Sequence, residues 1–203
     1  MRWPPFFVFD TSCGFATEKR YGFAIGVFRF GEMRMADQHK TEPWLRGTLT
    51  DMPVVHRAVL HALQLAAEDL VKWCGDLNRE ELNTAPGGAA NVAFHVRHIA
   101  RSIDRLLTYA EGRQLADEQM VKLKDEAQEK AVAQAVFDEL RDGMKDAERR
   151  VRALRGCDLE QARTVGRRSL PTTVGGLLVH IAEHTQRHVG QAITTAKIVR
   201  STR

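Results

Sequence analysis

Residues 177–191 read LLVHIAEHTQRHVGQ and set His180, His184 and His188 at intervals of four. On an α-helix that interval lines the three rings along one side. With Ile181 at zero and an advance of about 100° per residue, Leu177, Ala192 and Val199 fall within about 40° of it. His188 then lies about 20° from this apolar centre, His184 about 60° and His180 about 100°, at the stripe's edge. Imidazole nitrogens need partners when buried. A shared divalent ion would satisfy the inward pair. Hydrogen bonds to carboxylates or backbone would serve as well.

The same 3.6-residue apolar period recurs in three segments upstream. A first helix starts at Thr50 or Asp51, with Pro53 in its first turn. It carries Val59, Leu60, Leu63, Ala66, Ala67 and Leu70 and stops at Gly75. The turn-rich LNTAPGG leads into a second, with Val92, Val96, Ile99, Ile103 and Leu106 as its inner face and Gly112 at its end. A charged connection, ADEQMVKLKDEAQEK, has room for a helical turn of its own. The third helix shows Val132, Val136, Phe137, Leu140, Met144, Val151 and Leu154. A loop with Gly156 and Gly166 reaches Pro171, which opens the fourth; that helix runs through Val174 to about Ile198. Four amphipathic helices with no strand after residue 45 define an all-α, four-helix bundle over residues 44–200. The long connection between the second and third helices permits a topology other than simple up-down-up-down.

Length and composition bound the function. A chain of 203 residues suits one domain with an appendage. Its formal charge of +4 is spread evenly, without the basic stripe of a nucleic-acid binder. Cys13, Cys74 and Cys157 are far apart and form no CxxC pair, which points to a reducing, cytoplasmic setting. No apolar run reaches the roughly 18–20 residues of a membrane span. Residues 1–43 read as an irregular extension, since seven of the nine phenylalanines crowd into residues 1–30. WPPFFVF and YGFAIGVFRF are too short or too interrupted for a signal peptide. The expectation is an extension that is disordered, or that precedes the true start at Met33 or Met35; a β-hairpin or partner-binding arm is the alternative.

The other histidines divide by face. On the second helix His95 lies nearer the apolar centre than His98 does, so periodicity prefers His95 as a partner for the fourth helix. His56 faces inward on the first helix, as a core residue. His61 faces outward, and His39 sits in the N-terminal linker; both read as solvated.

HVRHIARSIDRLLTY and GGLLVHIAEHTQRHVGQAITTAK resemble the second and fourth helices of the DinB-like (DinB/YfiT) superfamily. His184, His188, Gly190 and Gln191 match its HxxxHxGQ signature, and His98-Ile99-Ala100-Arg101 its second-helix motif. The resemblance covers about residues 44–200 and implies a four-helix bundle, often a homodimer, with a divalent metal such as zinc or nickel. By motif alignment the ligands are His98, His184 and His188, against the periodicity preference for His95; His180 ranks behind them. Some relatives use a low-molecular-weight thiol in transfer or isomerisation of a small-molecule substrate. The resemblance therefore implies a metal-dependent thiol transferase; an open position on the metal could also acidify water, as in a hydrolase, and composition argues against a nucleic-acid or membrane partner. The alternative is a non-catalytic bundle, metal-stabilised or metal-free, for stress-related binding or dimerisation. Arg101 and Arg105 are candidates for an anionic thiol or for salt bridges, and Gln191 for orienting a ligand. Gly190 costs the helix about 1 kcal/mol relative to alanine, which suggests that another backbone or a ligand packs closely there.

Overall fold

The computed structural model describes residues 41–126 and 132–201. The expectations for residues 1–34, and for His39, lie outside the described residues.

Four long helices form the bundle: α1 (Val54–Cys74), α3 (Val92–Ala110), α5 (Ala133–Ala153) and α6 (Val174–Ser201). The short α2 (Arg79–Asn83) and α4 (Asp117–Asp125) stand in the connections before and after α3. α6 packs on both α1 and α3, α3 packs on α5, and α5 closes the ring on α1. The charged connection containing α4 therefore joins neighbours. The diagonal crossings belong to the α1–α3 and α5–α6 connections, so the departure from up-down-up-down lies elsewhere than the long connection suggested.

The core follows the apolar periods closely. Val59, Leu70, Val96, Ile99, Ile103, Val136, Leu178 and Ile181 are fully buried where the four helices meet. On α3 the inner face takes Leu107 in place of the expected Leu106, which is half-buried. Capping is local and legible. Asn78 closes a capping box with Glu81 at α2, and Asn91 accepts from the Phe94 amide at the start of α3.

Three expectations need correction. α1 begins at Val54, with Pro53 at its cap, a turn later than Thr50 or Asp51. His61 is buried: Arg46 grips Glu68 through two bonds of 2.6 and 2.7 Å and draws the segment before α1 back over that helix, and Thr48 Oγ1 lies 3.1 Å from His61 Nε2. A helical wheel sees helix faces but not the loop that covers one. Finally, strands do occur after residue 45. β1 (Ala162–Val165) pairs antiparallel with β2 (Leu170–Thr173), and Pro171 lies in β2 instead of opening α6. Proline is tolerated in so short a ladder because a two-stranded ribbon has only edges. Gly166 turns at φ +71° between the strands.

An ion cluster around the buried Arg150 ties α3 to α5. Arg150 donates to Asp104 Oδ1 at 2.6 Å, to Glu111 Oε1 at 2.6 Å and to Thr108 Oγ1 at 3.1 Å. Burial alone would lower the Arg150 pKa and raise that of Glu111. Their mutual bonds win, so Arg150 is held above its usual value and Glu111 below.

α3 and α5 approach closely at Gly143, where a Cβ would stand 3.2 Å from the Ala100 methyl. Gly143→Leu should therefore destabilise the protein by about 1–3 kcal/mol, through overpacking rather than loss of helix propensity. Urea unfolding would read this as a lower midpoint with an unchanged slope.

Candidate metal centre

The α3–α6 interface brings together the histidines that the two motifs carry. His98, His184 and His188 each offer a ring nitrogen, and these atoms all lie within 4.8 Å of one another. His98 Nε2 and His184 Nε2 stand 2.9 Å apart. That is the spacing of two imidazoles that share either one proton or one ion. The pair on α6 arises from its spacing of four. His98 meets it because α6 lies along α3, so the edge of one helix's apolar stripe faces the edge of the other's. All three are half-buried rather than central in the core.

The remaining histidines divide cleanly. His95 is buried, as its place on the wheel requires, and its Nδ1 lies 3.0 Å from His188 Nδ1. It is a neighbour of the three, not a member of the group. His180 is turned outward and pairs with Glu183 on its own helix at 2.7 Å. His56 bonds the Leu154 carbonyl through Nε2 at 3.1 Å, as a core residue.

Two residues that the sequence did not single out complete the surroundings. Phe94 stacks on His98 with an interplanar angle of 18° and meets His95 and His188 edge-on. It stands one turn before His98, a position that marks its face but not its contact. Glu126, beyond the end of α4, accepts from His98 Nδ1 at 2.8 Å and from Arg105 at 2.7 Å. Nothing in ADEQMVKLKDEAQEK sets this one carboxylate apart from its acidic neighbours.

Arg101 and Arg105 are committed to ion pairs. Arg101 binds Glu139 and Arg105 binds Glu126, both largely buried and not surface bridges. Gln191 is exposed, and the space around Gly190 is open, since a Cβ there would meet nothing within 4 Å. No backbone among the described residues packs on Gly190, which leaves a ligand as the neighbour expected there.

The electrostatics suit a cation. Burial, aided by the nearby His98, pulls His95, His184 and His188 down to about 4. These rings are neutral at physiological pH, the form that ligates. Burial pushes Glu126 up, but its bonds to His98 and Arg105 outweigh this and hold it below the usual carboxylate range. The group thus offers imidazole nitrogens, His184 and His188 in the neutral form, backed by one ionised carboxylate, a set suited to a borderline divalent ion.

A helical bundle with a cluster of three histidines able to hold a metal ion between two of its helices is the class that fold and site define. Residues 62–192 match the DinB superfamily, and the chain belongs to it. No curated protein matches the sequence.

The lowered histidine pKa values set a pH dependence. Between about 6.5 and 4 the unfolded chain takes up protons that the folded rings refuse, so stability is full above about 6.5 and declines as pH falls through about 4. On chelator-treated protein the urea midpoint should fall across that window and be flat from pH 7 to 8. A midpoint constant down to pH 4 would mean that the rings are solvated.

Proposed function

We propose that this protein binds one divalent metal ion, zinc or nickel, through His98, His184 and His188, and uses it as a thiol-dependent transferase on a small electrophile. The convergence of three imidazoles from α3 and α6 carries the reading. Three protein ligands are the pattern of sites that keep a position for water or substrate. An ion held there lowers the proton affinity of a thiol or water at neutral pH.

The surroundings favour the thiol over water. Hydrolysis calls for a base to manage the water's second proton, and Glu126 is poorly suited to that task. Both its oxygens are occupied, one by His98 and one by Arg105, and its pKa is lowered rather than raised toward neutrality. Glu183, exposed and paired with His180, is no better placed. A thiol has one proton to lose and needs no further base once it is lost. Phe94 gives the histidines an apolar wall that keeps water from one side of the site.

No helix among the described residues is long and apolar enough to cross a membrane.

Metal analysis of protein purified without a histidine tag tests the first part. The expected result is about one zinc or nickel per chain, lost or much weakened in His98→Ala, His184→Ala and His188→Ala. Absence of metal, together with unchanged thermal stability in the His184→Ala and His188→Ala variants, would remove the site. A panel of low-molecular-weight thiols with small electrophiles tests the second part: turnover abolished by chelation is expected. Bound metal without turnover would leave a metal-stabilised bundle.

A further inference from the structure

α4 has no apolar face in the core; none of its residues is buried. It is nevertheless held along α3 by polar contacts at three successive levels. Gln119 donates to Asp104 Oδ2 at 2.7 Å and to Thr108 Oγ1 at 3.0 Å. Arg101 donates to the Lys122 carbonyl at 3.2 Å. Glu126 receives Arg105 at 2.7 Å and His98 at 2.8 Å. Residues 119, 122 and 126 share one helical face, and their partners descend α3 from Thr108 to His98, so the two segments run antiparallel in register. This register delivers a carboxylate to the outward nitrogen of His98.

The cost of placing it there is substantial. Glu126 is 4% exposed, and an ionised carboxylate at that depth persists only when paired. Its partners use both oxygens. With Nδ1–H donated to Glu126, the His98 lone pair resides on Nε2, the nitrogen that faces His184. Without Glu126 nothing would fix the tautomer of the ring, and the Nε2-protonated form would aim its proton at the other histidines.

We propose that Glu126 is a positioning residue of the metal site: it holds His98 in the Nδ1-protonated tautomer with Nε2 presented to the ion, and Arg105 in turn holds Glu126. Carboxylate–histidine pairs of this kind raise ligand basicity and fix ring orientation. The proposal rests on the three-histidine reading, and the two are separable by experiment.

The probe is Co²⁺, titrated into tag-free, chelator-stripped protein in competition with a chromophoric chelator. Glu126→Ala should weaken Co²⁺ binding by about 10–100-fold, and Glu126→Gln, which retains an acceptor for Nδ1–H but not the charge, by less. Because Glu126→Ala strands Arg105, the double variant Arg105→Met/Glu126→Gln removes both charges and guards against a folding defect. It should lose affinity like Glu126→Gln while keeping its stability. Nitrogen NMR of the stripped protein supplies a readout that a purely structural role would not move. His98 should be Nδ1-protonated in the wild type and a tautomer mixture in Glu126→Ala. Wild-type Co²⁺ affinity in Glu126→Ala, or an unchanged His98 tautomer, overturns the proposal while leaving the metal site intact. Wild-type affinity in His98→Ala, or no Co²⁺ uptake by the wild type, overturns the three-histidine reading and the proposal with it.

Discussion

The constraint that organises this protein is the placing of several imidazoles at the contact between α3 and α6. A buried ring nitrogen must find a donor, an acceptor or an ion, and within a helix the backbone groups are already used. At this contact the histidines meet one another and, at His98, the carboxylate of Glu126. His98 faces His184 and His188 faces His95, so the interface is defined by nitrogen positions as well as by apolar packing. Apolar stripes tolerate small slips of one helix past another. Paired nitrogens do not, because hydrogen bonds weaken steeply with distance and angle. Ile99 and Ile181 supply the burial that brings α3 and α6 together, while the histidines fix their relative register.

This division explains what the sequence could and could not disclose. The bundle was legible because its long helices carry apolar residues at a regular period. The common side of His184 and His188 was legible because their spacing of four aligns them and their angle to the apolar stripe separates them from His180. The choice between His95 and His98 was not decided by periodicity. The wheel ranks residues by distance from the centre of the stripe, and it placed His95 deeper, as the structure does. Yet both residues meet α6, His95 at His188 and His98 at His184, and the one grouped with the α6 pair is the one at the stripe's edge. The motif carried that crossing geometry, and the wheel did not.

Other features depended on segments that leave no periodic trace. The cover over His61 comes from an irregular stretch whose anchor, Arg46 on Glu68, spans 22 residues. The β1–β2 hairpin has strands of only four residues, too short for alternation to stand out beside the glycine and proline around them. Gly190 has a different lesson. A glycine within a helix invites the inference of close packing, but the open space around it shows that the local penalty can be tolerated without a neighbour among the described residues.

Glu126 is the furthest from what a sequence could reveal, and the reason is energetic. Helices α3 and α6 are held in the core and would form a bundle whatever α4 did. α4 depends on polar contacts alone, each worth about 0.5–1.5 kcal/mol net, or somewhat more where charge assists. Such a segment belongs to the part of a protein that opens first. Whatever draws the His98 ring into a single tautomer strengthens its bond to Glu126, and that bond in turn holds the end of α4 against α3. By reciprocity, an ion favoured by Glu126 must favour the docked α4 by the same factor. On the proposed reading, the histidine cluster and the charged connection act as one thermodynamic unit, although His98 and Glu126 lie 28 residues apart in sequence.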